Sequence, residues 1–210
     1  DWAAKDASEL LIYLIDHGGH GKFEANEGDI IEAADLDTWL DAAQSTIPGK
    51  VILVYDACFS GSFLPLMTPP PGKERIVITS SAADEETIFA LKGDLSFGYR
   101  FWQSVFDNAN LYDNYHTARI VMKDYQTAIL DANGDGKETA QDKELIEDYL
   151  VGRGVVTLSS PPEIGSVNKV QTLSGENSAS LWALNIASLN PLKRVWAVII
   201  PPDYDTTNTE

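Results

Sequence analysis

The chain has a single cysteine, Cys58, in 210 residues. That excludes an intrachain disulfide framework and any metal site needing two thiolates. Basic residues are scarce: 15 lysines and arginines stand against 32 aspartates and glutamates, a formal net charge of −17. Binding to phosphate backbones needs basic patches, so nucleic acid is not an expected partner. No run of 18 apolar residues occurs, and no membrane span is expected. A Gly-Xaa-Ser-Xaa-Gly elbow is absent, which removes the commonest serine-hydrolase arrangement. No long-period repeat and no signal peptide are visible. What is present is an ordinary globular composition, 44% hydrophobic with 10% aromatics. It is long enough for one substantial core.

Two apolar runs carry the chemistry. Leu10-Leu11-Ile12-Tyr13-Leu14-Ile15 leads into Asp16-His17-Gly18-Gly19, and Val51-Ile52-Leu53-Val54-Tyr55 leads into Asp56-Ala57-Cys58-Phe59-Ser60-Gly61. Both read as buried strands. In an open α/β sheet the carboxyl ends of parallel strands hold the ligand crevice. The 41 residues between His17 and Cys58 suffice for a crossover helix. A thiol beside an imidazole is the minimum set for thiol nucleophilic catalysis. Taken singly, such a cysteine is more often a small buried hydrophobe and such a histidine a structural hydrogen-bonder. The pairing and the flanking glycines raise the catalytic reading.

Helices are predicted over residues 34–44, 97–106 and 112–130, and a third strand over 76–79. Residues 2–9 read as a helix end, and 17–30 and 60–74 as loops. Together these give an α/β layered domain with a mostly parallel sheet. After Gly154 the helical period disappears. Strands are predicted at 155–158, 169–173, 179–183 and 194–200. Residues 155–210 are expected to be a β-rich extension or a partial immunoglobulin-like module, too short for seven strands.

Asp16-His17-Gly18 and Asp56-Ala57-Cys58-Phe59-Ser60-Gly61-Ser62 resemble the legumain-like cysteine peptidases of the caspase–haemoglobinase clan, in their bacterial branch. The likeness continues through Arg75-Ile76-Val77-Ile78-Thr79-Ser80-Ser81-Ala82-Ala83. The QACxG signature of caspases is absent. The resemblance implies a three-layer caspase-like fold over residues 1–154, lacking its N-terminal strands. It implies a cysteine endopeptidase acting on peptide or protein substrates, made as a zymogen, secreted or at a bacterial cell surface. Cys58 is then the nucleophile and His17 the general acid/base, with the N–H groups of Gly18 and Cys58 as the oxyanion hole. Asp56, Ser80, Ser81 and Asp94 match the pocket for the residue before the cut. That family's pocket also uses an arginine from upstream of the His strand, a region outside this sequence; an acidic pocket without it is expected to favour lysine or arginine over asparagine. The alternative is a catalytically silent caspase-like scaffold; acyl transfer by the same site is a third reading. No cofactor is expected for catalysis. Among the three histidines, His17 and His20 lack the further ligands of a zinc site, and His116 falls on a predicted helix.

A second constellation runs from Asp131 through Asn133, Asp135, Gly136, Lys137 and Glu138 to Asp142. It follows the EF-hand order, with oxygen ligands at positions 1, 3, 5, 7 and 12 and glycine at 6. Glu138 replaces the usual aliphatic residue at position 8, so the loop would be solitary. Structural calcium held by Asp131, Asn133, Asp135, Lys137 and Asp142 is the expectation, and an Asx/Gly turn is the simpler reading.

Overall fold

A computed structural model describes residues 7–90, 93–151, 163–169 and 178–187. Its centre is a four-stranded sheet, with β1 (Leu10–Ile15) beside β5 (Val51–Asp56), then β6 (Arg75–Thr79), then β7 (Ile129–Asp131). The first two pairings are parallel and the last is antiparallel. The expected mostly parallel α/β sheet is therefore present. Every residue of β5 is buried. Its continuous apolar run fits a strand covered on both faces.

Alternate side chains of β5 enter two cores. Val51, Leu53 and Tyr55 pack with Leu36 and Leu40 of α1 (Ala33–Gln44) and with Phe63 and Leu64 of a 3-10 helix (Ser60–Leu66). Ile52 and Val54 pack with Phe97 and Phe101 of α2 (Phe97–Phe106) and with Leu111, Tyr115 and Ala118 of α3 (Leu111–Met122). Helices thus cover both faces, giving three layers. Arg75 ties the first layer down. Its buried guanidinium reaches Asp37 at 2.6 Å, Asp41 at 2.5 Å and Gln44 at 2.8 Å. Such a group is tolerated in a core only when its donors are paired.

Several sequence expectations are corrected. The segment 17–30 is not a plain loop: β2 (Gly18–Gly19), β3 (Lys22–Asn26) and β4 (Asp29–Glu32) form an antiparallel ribbon. Gly28, at φ 88°, turns the β3–β4 hairpin with a backbone that side chains resist. The helix predicted to Leu130 stops at Met122. The chain then turns back so that Ile129–Asp131 can pair with β6. The start of the predicted 60–74 loop is a 3-10 turn, and residues 7–9 are not helical. A further helix, α4 (Ala140–Ile146), follows the acidic loop.

In the C-terminal part, β8 (Glu163–Val167) pairs antiparallel with β9 (Ala183–Ala187). β8 was not foreseen, and β9 starts where the strand predicted at 179–183 was to end. The strands predicted at 155–158 and 194–200, most of that at 169–173, and residues 1–6 of the predicted helix end lie outside the described residues. No helix among the described residues is long and apolar enough to cross a membrane.

Candidate active site

The register of β1 on β5 builds the site. Ile15 pairs with Asp56, so His17 and Cys58 each stand two residues beyond the last paired position on neighbouring parallel strands. Such strands lie about 4.8 Å apart, which puts the two turns side by side. They touch at Gly18, where an added Cβ would fall far inside contact with the Cys58 carbonyl oxygen and would crowd Ala57 and the Tyr55 hydroxyl. Only a glycine lets the histidine turn lie this close to the cysteine turn.

The two turns are held differently. His17 is exposed. Its N–H donates to Asp16 Oδ1 at 2.8 Å, and its carbonyl accepts the Glu24 N–H at 3.0 Å. Among the described residues its ring takes no hydrogen-bond partner. Cys58 is half-buried, and its Sγ receives the Thr87 N–H at 3.4 Å and lies 3.5 Å from Thr87 Oγ1. Phe59, the next residue, has φ 59°. Its N–H donates to the Glu85 carbonyl at 2.7 Å, and its ring packs on His20 with centroids 4.8 Å apart. Among the described residues no three His, Cys, Asp or Glu side chains are placed to hold a metal ion.

The expected pocket residues separate. Asp56 is fully buried, with Oδ2 accepting from the Gly98 N–H at 2.9 Å and the Tyr13 hydroxyl at 3.3 Å. Its side chain is aimed at the first turn of α2, where Gly98 has no room for a Cβ against Tyr13 and Asp56. Burial pushes its carboxyl up to about 6, against the opposing pull of Ser80, the Gly98 N–H and Tyr13. Oδ1 and the Ser80 hydroxyl are nonetheless left without a hydrogen bond of normal geometry, both buried. Tyr13 in turn has its hydroxyl pKa raised, first by burial and then by the Asp56 charge. Ser81 faces the other way. Its Oγ accepts from the Ser60 N–H at 3.2 Å, lies 3.1 Å from Ser60 Oγ and donates to the Ala57 carbonyl at 3.2 Å. Ser81 therefore braces the cysteine turn. Asp94, half-buried, sits in the tight turn between the bridged Ala90 and Leu95.

Sequence reading missed Thr87, Glu85 and Gln126. Glu85 clamps the loop through Thr127 N–H at 2.7 Å, Thr127 Oγ1 at 2.9 Å and Ala82 N–H at 3.3 Å. Burial raises its pKa, but these donors outweigh that and hold it below the usual value. Gln126, also buried, accepts from the Ile88 N–H at 2.9 Å and donates to the Ser80 carbonyl at 2.8 Å. Nothing in the local pattern marks these residues, because the partners that define them are distant in sequence: Cys58 is 29 residues from Thr87, Thr127 is 42 from Glu85 and Ser80 is 46 from Gln126.

The acidic loop is a closed hydrogen-bonded knot. Asp131 accepts from the N–H groups of Gly134 and Gly136, both at 2.8 Å. Asp142 accepts from Ala132, Asn133 and Thr139, and caps α4. Asn133 accepts from Asp135, and Asp135 from Lys137. Glu138 binds Arg119 and the Tyr115 hydroxyl instead. Burial raises the pKa of Asp131; against the pull of the Gly136 and Gly134 N–H groups, the charges of Asp142 and Asp135 add to the rise. The loop leans on the segment following the cysteine turn, through Thr68 Oγ1 to the Gly134 carbonyl at 3.1 Å.

A search of curated proteins finds no match to the chain. The sequence model of the Peptidase C13 family matches residues 3–143, the stretch containing both strand ends, the serine loop and the acidic loop. That match spans more than half of the chain and agrees with the parallel sheet and the paired turns, so this chain belongs to the Peptidase C13 family, the legumain-like cysteine peptidases.

Proposed function

We propose that the protein is an endopeptidase in which Cys58 is the nucleophile and His17 the general acid/base. The observation that carries this is the β1–β5 register, with Gly18 lying against Cys58. The Cys58 thiolate attacks the scissile carbonyl carbon, and the carbonyl π electrons move to oxygen. The N–H groups of Gly18 and Cys58 stabilise that oxyanion. As the C–N bond breaks, protonated His17 gives its proton to the leaving amine. Neutral His17 then takes a proton from water, whose oxygen attacks the thioester; the C–S bond breaks, releasing the acid and restoring the Cys58 thiolate beside protonated His17. Ring exposure suits this role, since the imidazole works on the substrate and needs no prior bond to sulfur.

Asp56, Ser80 and Asp94 are proposed to lie toward the residue before the cut, while Ser81 braces the cysteine turn behind them. The buried Asp56 Oδ1 and Ser80 Oγ, neither in a hydrogen bond of normal geometry, support a donor-bearing substrate side chain there, and an acidic pocket favours lysine or arginine. The test is a fluorogenic peptide library varied at that residue, with Cys58→Ala alongside. Cleavage by the wild type alone, with thiol alkylation lost in the variant, supports the reading. Cleavage retained in Cys58→Ala sinks it, and no cleavage by either favours a silent scaffold.

Calcium at Asp131, Asn133, Asp135, Lys137 and Asp142 rests on residue order and on the Gly136 backbone at φ 76°. The carboxylates bind the loop's own N–H groups, so no catalytic step is routed through the ion. Calorimetry at millimolar calcium decides: heat of binding with a raised Tm supports a structural ion, and no uptake rejects it.

A further inference from the structure

We infer that Thr87 is a positioning residue for the Cys58 sulfur. This rests on the reading of Cys58 as nucleophile. Two groups of one residue converge on Sγ: the Thr87 N–H donates at 3.4 Å, and the Thr87 hydroxyl lies 3.5 Å away, where it is the donor once the sulfur is a thiolate. Both are ordinary distances for bonds to sulfur. A hydroxyl that donates to a thiolate stabilises the charged form and holds the side chain in one rotamer. The N–H alone fixes one direction, and the hydroxyl adds a second, which restricts rotation about the Cα–Cβ bond of Cys58.

Thr87 can serve in this way because its loop is tied on both sides. On the N-terminal side, the Glu85 carbonyl accepts from Phe59 next to the cysteine, and the Glu85 carboxylate is clamped by Thr127 and Ala82. On the C-terminal side, the Ile88 N–H is held by Gln126, which also grips the Ser80 carbonyl. The loop backbone also lies directly on the cysteine turn, since a Cβ at Gly61 would stand 2.8 Å from Ala82, Ala83 and Ser81 backbone atoms. A donor fixed at both flanks loses little entropy when sulfur becomes charged, which is the condition for preorganised stabilisation.

The test compares the full chain with Thr87→Val, Thr87→Ala and Thr87→Ser. Two quantities are measured: the rate of Cys58 alkylation by iodoacetamide, located by peptide mapping, and kcat and KM on a peptide the wild type cleaves. Valine keeps the shape and the N–H but removes the hydroxyl. It is expected to slow alkylation about 10-fold and to lower kcat similarly, with KM within about twofold. Alanine behaves like valine and replaces it if valine misfolds. Serine is expected to restore both rates to within about threefold. Valine and alanine reacting at the wild-type rate, or serine as slow as valine, overturns the inference. A wild type that is alkylated at Cys58 but cleaves no peptide removes the peptidase reading, and the alkylation rates still decide the role of Thr87.

Discussion

The strands that deliver the two halves of the site are built to different standards. β5 is buried along its whole length, and the turn after it is held by Thr87, Ser60, Ser81 and Glu85. β1 is only partly buried, and the turn after it is held through backbone atoms and Asp16. The sulfur is therefore fixed by its surroundings, whereas the imidazole is fixed only through its backbone. A nucleophile gains from being held in one geometry before attack. A proton donor that must reach the leaving group benefits from an open position.

The sharpest way to test this contrast is His17→Ala. Peptide turnover is expected to fall by about 10² to 10⁴-fold. Stability should stay within about 0.5 kcal/mol, because the ring is exposed. A large loss of stability in thermal unfolding would show that β1 depends on the ring and would break the comparison.

Asp56→Asn probes the buried side. Wild-type Asp56 titrates near 3.8 when unfolded and at about 6 in the fold. Between these values the folded state holds the extra proton, so stability falls as pH rises through that window. The whole effect is about 3 kcal/mol. Urea unfolding at pH 4 and pH 7 should show this decline in the wild type and a smaller one in the variant, in which the Asp56 contribution is gone. An equal decline in both would locate the titration elsewhere.

Gly18→Ala strikes where the two turns touch. The new methyl meets Cys58 backbone, which cannot rotate away. We expect a loss of about 1–3 kcal/mol in urea unfolding together with reduced turnover. Wild-type stability and activity would mean that the turns are not in contact. The smallest effect is expected at Lys22→Ala, which removes an exposed pair with Glu32 at 3.3 Å on the ribbon behind His17. A change below about 1 kcal/mol in the same assay would mark that side as loosely held.

How much of this was legible follows from how local each signal is. β1, β5 and β6 are runs of β-branched and aliphatic residues, and α2 repeats Phe97, Phe101 and Val105 at helical spacing; such patterns need no knowledge of partners. The His17 and Cys58 turns follow directly from those strands. The ribbon of β2 to β4 escaped because its strands are two to five residues long and interrupted by glycine. β7 escaped because three residues show no period, and its strand state comes from the β6 edge it meets. The alternation along β5 placed Asp56 on one face. It did not reveal that this face meets the first turn of α2, nor that the two buried serines part, Ser81 toward Ser60 and Ser80 toward Asp56. Thr87 was invisible for the same reason: its importance lies in a partner 29 residues away.

β7 has a further consequence, for self-association. A sheet edge recruits foreign strands when it offers a long, straight row of free peptide groups. Here the row is three residues long and ends at Asp131, whose carboxylate gathers the next N–H groups at Gly134 and Gly136 into a curl. The chain curls immediately beyond the strand, in a loop rich in carboxylates. Among the described residues this edge offers an incoming strand only three residues to pair with, which makes it a poor template for a neighbouring chain.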